Sequence, residues 1–275
     1  MIKEFDLSER RACRLVGLSR DSYRYPPAPD VMTQSLSAKI VEIAQQRRRF
    51  GYRRIHDLLR PIFPGINHKK IYRLYSEANL TVKRRRKAKQ PSHNRQPLRM
   101  AQSLNEVWSM DFVSDSLANG RRLKCLTIAD DYSHECIDIP VDYGMGAQYV
   151  TRTLDQAALF RGYPQAVRTD NGPEFTSRAF MAWCQSHGIE HLLIAPGKPM
   201  QNGYIESFNG KFRDECLNDH WFETLDQARR IISAWRNDYN EVRPHSSCGR
   251  IPPAQFAALK RIGDDDKSSQ NGKIL

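Results

Sequence analysis

The chain has 275 residues, with 43 Lys+Arg against 31 Asp+Glu, a net charge of +12 and 40% hydrophobic residues. That suffices for one large domain or two ordinary ones and is too little for a membrane protein; no run approaches the ~18 apolar residues of a spanning helix. The N-terminus MIKEFDLSERR lacks the apolar stretch of a secretory signal, and the six scattered cysteines form no CxxC pair. Zinc and disulfide frameworks are thereby disfavoured, and reduced thiols in a cytoplasm fit best.

The charge is uneven. Residues 1–100 carry 24 Lys+Arg and 8 Asp+Glu, net +16; residues 101–275 carry 19 and 23, net −4. A basic first part is suited to neutralising phosphates, and a mildly acidic second part to gathering carboxylates. In chain order, LSERRACRLVGLSRDSYRY (7–25) predicts a helix with Leu7, Ala12, Leu15 and Val16 on its apolar side. Gly17 closes it and Ser19 caps a short second helix, the shape of a helix-turn-helix. PPAPD (26–30) reads as a stiff linker, so 1–30 forms one short segment.

Three further helices are expected within 31–90: Leu36–Arg48, Tyr52–Leu59, and one capped by Asn67 that runs to Asn79. Lys69, Lys70 and Arg73 fall near the start of the last, where a recognition helix presents its DNA contacts. The run KRRRKAK brings Arg84, Arg85 and Arg86 into a basic connector that continues as the linker 91–104 and could lie along a DNA backbone.

From 105 the period changes. VWSMDFV (107–113), LKCLTIADDY (123–132) and ECIDIPV (135–141) read as strands, followed by a helix at 146–160, the strand AVRTD (166–170), a helix at 176–188, the strand IEHLLIA (189–195) and a helix through QNGYIESFNGKFRDE. Another amphipathic helix spans 225–242, and 263–275 reads as a disordered tail. The fold class is α/β: a mixed sheet flanked by helices over 105–262, in an order resembling a ribonuclease H-like core, preceded by an all-α region.

Three acids stand out in this frame. Asp111 interrupts an apolar strand, where a carboxylate needs a cation or strong hydrogen bonds. Asp170 ends a strand, where open α/β sheets place ligands, and Asn171-Gly172 turns the chain away beneath it. Glu206 lies on a helix. Two strand-borne carboxylates and one helix-borne carboxylate can converge on two divalent ions, Mg²⁺ or Mn²⁺, for in-line phosphoryl displacement by a nuclease or strand transferase. Asp115, Asp130, Asp131 and Glu174 are nearby acids of lower rank; Glu174 belongs to the loop or first turn of the following helix.

WSMDF, RTDNGPEF and QNGYIESFNGKFRDECLN resemble the three acidic blocks of the retrovirus-like DDE transposases, in particular the IS-three family of bacterial insertion sequences and its second reading-frame product, OrfB. YNEVRPHSSCGRIPPAQF resembles that family's end motif, and FGYRRIHDLLR and INHKKIYRLY its helix-turn-helix region; the likeness covers about 7–257. Cys248 and Ile251-Pro252-Pro253 depart from the usual end motif, outside the acidic triad.

The resemblance implies an integrase catalytic core with Asp111, Asp170 and Glu206 as catalytic, metal-binding triad, and a transposase that cleaves DNA 3′ ends and transfers strands with two Mg²⁺ ions. It gives Arg213, seven residues after Glu206 and on its helical face, a phosphate-binding role. Asn202 and Asn209 flank the glutamate and could steady substrate or loop. Expected partners are DNA at the terminal inverted repeats and target, and the OrfA product or a frameshift fusion with it, in an oligomer on DNA. Copy-out, paste-in transposition through a circle is further implied. The zinc-binding module of retroviral integrases has no counterpart here. Rival readings are a non-catalytic DNA-binding regulator and another ribonuclease H-like nuclease.

Overall fold

The computed structural model describes residues 2, 4–25, 30–82, 100–194 and 202–271, with side chains as far as 262. The chain divides into two compact units, 1–55 with 66–81, and 56–65 with 82–275. Arg84, Arg85 and Arg86 lie outside the described residues, as does most of the linker expected at 91–104.

The first unit is helical. Helix α1 (Glu9–Leu15) is capped by Ser8, and α2 (Arg20–Arg24) by Ser19, with Gly17 between them in the left-handed region (φ 67°). The sequence reading of the apolar side holds at Ala12 and for the half-buried Leu7, and fails at Leu15 and Val16. Ala12 and Cys13 are the buried residues of α1, while Leu15 and Val16 are exposed, because the helix ends at Leu15 and leaves both at its frayed end. Helix α3 (Val31–Gln46) starts earlier than expected because Asp30, read as linker, accepts from Thr33 N–H and caps it. Helix α4 (Tyr52–Leu59) spans the expected residues, of which 52–55 belong to this unit, and α5 (His68–Glu77) is capped by Asn67 through Lys69 N–H at 2.8 Å. Leu36, Ile40, Ile55 and Ile71 are fully buried, and the Tyr75 hydroxyl donates to Phe50 O.

The second unit holds a six-stranded mixed sheet: β1 (Val107–Ser116), β2 (Arg122–Asp130), β3 (Cys136–Asp138), β4 (Val141–Asp142), β5 (Ala166–Thr169) and β6 (Glu190–Leu193). Its order is β3-β2-β1-β5-β6, with β4 also on β2; β1–β2 is antiparallel, β1–β5 and β5–β6 parallel. The run expected as one strand over 135–141 is two, broken at Pro140, which has no N–H to give the ladder.

Alternation along β1 and β2 sorts side chains to two faces. Trp108, Met110, Leu126 and Ile128 pack with α6 (Ala147–Arg161) and α7 (Arg178–Ser186). Val113, Leu123 and Cys125 pack with α8 (Gly203–Glu215) and α9 (Leu225–Glu241). Asp111 shares the parity of Val113, so it faces α8. The helix side of that layer is aromatic: Phe208 lies edge-on to Trp235 and Tyr239, at ring centroids of 5.8 and 5.0 Å. Helix α10 (Pro253–Asn271) was not expected, and its backbone continues into the stretch read as a disordered tail. All six cysteines are free and buried, and no helix of the described residues is long and apolar enough to cross a membrane.

Candidate active site

Asp111 lies mid-strand in β1, paired in register with Thr127 of β2. Asp170 is the first residue after β5, next to β1 and parallel to it. Glu206 is in the first turn of α8. That helix is set by a stripe of Ile205, Phe208 and Phe212, all buried, which spaces i, i+3 and i+7 onto the sheet. Glu206, Asn209 and Arg213 share one flank of the stripe by the same spacing.

The Asp111 carboxylate accepts from Phe112 N–H at 2.7 Å and from Asn209 Nδ2 at 2.8 Å. Asn209 Oδ1 in turn accepts from the Thr127 hydroxyl at 2.8 Å, which also lies 3.0 Å from the Asp111 carbonyl oxygen. One hydroxyl proton serves both acceptors as a three-centre bond, and an ionised Asp111 fixes the Asn209 amide with its nitrogen toward the acid. Burial pushes the Asp111 carboxyl up to about 6, and the negative charges of Asp170 and Glu206 add to the rise against the two hydrogen bonds. Asp111 therefore feels the charge of both other acids. Among the described residues no ion pair joins any of them to a cation, and no three His, Cys, Asp or Glu side chains close into a metal cage.

Asp170 and Glu206 are exposed. Asp170 Oδ1 accepts from Gly172 N–H at 3.0 Å, and Asn171 Nδ2 donates to Ile194 O at 2.8 Å, tying the turn to the end of β6. A Cβ at Gly172 would lie 3.0 Å from Asp170 Oδ1 and 3.3 Å from Glu174 Oε2, so glycine leaves this carboxylate its place.

The lower-ranked acids are occupied elsewhere. Glu174 pairs with Lys124, whose ammonium lies 3.8 Å from the Phe112 ring centroid on the α6/α7 face; burial opposes the change, but that pairing holds the Glu174 carboxyl below its usual range. Asp131 pairs with Arg168 in the interior. Asp130 accepts from the backbone N–H groups of Asn105, Tyr132 and Ser133 and from the Ser133 hydroxyl. Asp115 accepts from Ser116 N–H.

Arg213 is exposed and donates Nη2 to Ser114 O at 2.8 Å, three residues along β1 from Asp111. Asn202 caps α8 without a side-chain bond; it is buried, and its Oδ1 has no partner among the described residues. Lys69 and Arg73 are exposed on α5 and Lys70 is half-buried, with Arg73 3.6 Å from Glu77. The link from Asn209 through Thr127 was not read from sequence; the only signal was an Asn three residues past Glu206, on its face.

The end motif is structural at its first residues. Arg243 is almost fully buried, and its guanidinium grips Glu215 at the end of α8 through two bonds of 2.7 and 2.6 Å. His245 Nε2 lies 3.1 Å from the Arg243 Nη1, and Cys248 Sγ donates to Ser133 O. This block ties α8 to the end of α9.

Comparison with known proteins agrees with this architecture. Models of the integrase core domain match residues 101–199 and 187–253, and a model of an HTH-like domain matches 33–88. An uncharacterized 39.2 kDa protein of insertion element IS476 from Xanthomonas euvesicatoria is 68% identical over 261 residues, 95% of this chain and 75% of the relative. An uncharacterized 31.7 kDa protein of insertion element IS407 from Burkholderia multivorans is 57% identical, over 96% of this chain and 95% of the relative. The transposase InsF for insertion sequence IS3A of Escherichia coli is 25% identical over 80% of this chain and 81% of its own. Among solved structures, a simian T-cell lymphotropic virus intasome in complex with PP2A regulatory subunit B56 gamma shares the fold, with TM-score 0.54 and 18% identity over 79% of this chain and 74% of that one. An HTH-like region, an integrase core and relatives of this identity place the chain in the IS-three family of insertion-sequence transposases.

Proposed function

We propose that this chain catalyses metal-dependent cleavage at the DNA 3′ ends of an insertion sequence and their transfer to a target strand, with Asp111, Asp170 and Glu206 as catalytic acids. The observation that carries it is that the charges of Asp170 and Glu206 both reach the half-buried Asp111 carboxylate, with no cation paired to any of the three among the described residues. Such a cluster fits a hard divalent ion: Mg²⁺ is usually held by one or two carboxylates, waters and substrate phosphates rather than by an all-protein cage. Two ions so bound supply Lewis-acid stabilisation of the attacking and leaving oxygens.

The chain's own residues do the positioning. Asn209 and Phe112 N–H each hold one Asp111 oxygen, orienting the carboxylate with lone pairs left over. Gly172 keeps the Asp170 carboxylate in its turn. Arg213, braced on Ser114 O, has remaining N–H donors for the phosphate beside the reacting bond. In the first step a water oxygen bonds to phosphorus and the P–O3′ bond breaks, freeing the element's 3′-hydroxyl. In the second that hydroxyl attacks a target phosphodiester and displaces its 3′ oxygen; no enzyme-linked intermediate is needed.

Lys69, Lys70 and Arg73 on α5, with Arg84, Arg85 and Arg86, bind the terminal repeats. The protein works as an oligomer on DNA in the bacterial cytoplasm, with the OrfA product as partner or fused to it. The test is Mg²⁺-dependent cleavage and joining of a labelled duplex carrying the element's terminal repeat, with Glu206→Gln as control and the OrfA–OrfB fusion alongside. Cleavage and joining lost in the variant is the expected result. DNA binding without chemistry in both proteins would leave a regulator.

A further inference from the structure

The end motif is only partly explained by packing. Arg243 and His245 are buried and bonded, whereas Ser246 and Ser247 are exposed. Both serines line a cavity of about 520 Å³ inside the second unit, together with Tyr204, Ser207 and Lys211 of α8 and His134 of the turn between β2 and β3. These α8 positions lie on the flank of the buried stripe opposite Glu206, Asn209 and Arg213.

The cavity gathers donors. Three serine hydroxyls, an imidazole and an ammonium border it, and Tyr204 and Ser207 bring to it the first turns of α8, where the helix dipole favours an anion. Lys211 acts electrostatically on both His134 and Cys248, which places its charge between the turn and the serine block. Of the two acids on the wall, Asp131 is neutralised by Arg168 through Oδ2, its Oδ1 having no hydrogen-bond partner among the described residues, and Asp130 accepts from four N–H and O–H donors. Along one side His134, held at φ 58°, lies against the Tyr204 ring at 5.6 Å between centroids. The volume exceeds what a phosphate needs and lies in the range of small-molecule sites.

We propose that this cavity seats one unpaired nucleotide of bound DNA, its phosphate among Lys211, Ser246 and Ser247 and its base against Tyr204 and His134. A base within a duplex is already stacked on its neighbours, so only an unpaired one can use the ring surface. The seated nucleotide is not the reacting one, since it lies on the other flank of α8. That the DNA is transposon DNA rests on the function proposed above; the cavity's chemistry does not.

The test compares the full chain with Lys211→Gln and with Ser246→Ala/Ser247→Ala. Each is titrated with labelled terminal-repeat duplex, blunt or with a short single-stranded 5′ extension. Inorganic phosphate and a deoxynucleoside monophosphate serve as competitors. The wild type should prefer the extended duplex about tenfold, the size of one aromatic–base stack. Both variants should lose that preference at unchanged melting temperature, and the nucleotide should compete better than phosphate. Equal preference in all three proteins overturns the proposal, as does competition by phosphate equal to that by nucleotide. Lost self-association with unchanged DNA binding would assign the cavity to a carboxylate of a second copy and also overturn it. If Lys211→Gln melts lower, His134→Gln takes its place. Mg²⁺-dependent cleavage of blunt duplex by the wild type runs in parallel; its failure would strike the transposase chemistry and leave the binding comparison intact.

Discussion

Two groups of carboxylates in the same sheet-and-helix unit are built on opposite principles. Asp131, Glu135 and Glu215 each carry a cation of this chain: Arg168, Arg161 and Arg243 respectively. Asp111, Asp170 and Glu206 carry none among the described residues, and the charges of Asp170 and Glu206 raise the cost of ionising Asp111 instead. The first group holds elements together with charge matched inside the chain, although Asp131 Oδ1 and Arg161 Nε have no hydrogen-bond partner among the described residues. The second is electrostatically unfinished, which a protein tolerates where something from outside completes it.

The comparison can be broken from the unfinished side with the largest effect. Asp111→Asn, Asp170→Asn or Glu206→Gln should each lower cleavage by about a thousandfold or more with folding intact, measured as single-turnover cleavage beside a melting curve. Neutralising a finished acid should do the reverse. Glu215→Gln or Arg243→Met leaves its buried partner uncompensated and should cost about 3–5 kcal/mol in urea unfolding, whereas Glu215→Leu with Arg243→Met should recover most of it.

Smaller effects sharpen the distinction. Asn209→Ala frees the Asp111 carboxylate and should reduce Mg²⁺ affinity or activity about 10–100-fold, with Thr127→Val milder, read from the Mg²⁺ dependence of the rate. Asp111 also predicts a pH effect on the metal-free protein. An acid whose folded pKa is raised is penalised when ionised. The penalty is absent below the unfolded value near 4 and complete above about 6. Metal-free Asp111→Asn should thus exceed wild type at pH 7.5 by about 1–2 kcal/mol, discounted for partial exposure, and lose the advantage as pH falls toward 4. Asp131 is also pushed up to about 6, but it is common to both proteins and cancels. Smallest of all, Lys69→Gln, Lys70→Gln or Arg73→Gln should each weaken DNA binding several-fold and shallow the salt slope by about one unit.

Much of this is legible in the sequence. The carboxylate inside VWSMDFV, the acid closing AVRTD and the glutamate within an amphipathic run carried the candidate site, because strand and helix periods are local. What was not legible is set by contacts between distant residues. Thr127 meets Asn209 only because β2 and α8 pack together, and Arg243 meets Glu215 only because α9 returns along α8. Local punctuation was sometimes misjudged: Pro140 splits one expected strand in two, and Asp30 is a cap rather than a linker residue. At Leu15 and Val16 the pattern promised burial to a helix that ends too soon to supply it.

Gly172 has a consequence beyond the site. A methyl group there crowds the Asp170 carboxylate and meets the buried Phe175 ring only at an ordinary contact distance of 3.5 Å. On the function proposed above, a chain with alanine at this position should fold and occupy the same DNA while cutting it more slowly, because the Asp170 carboxylate must shift by a few tenths of an ångström. In a cell holding several copies of an element, such a product is a poison subunit, competing with intact protein for the same ends. One missing methyl group is thus a place where a spreading element could come to encode its own restraint.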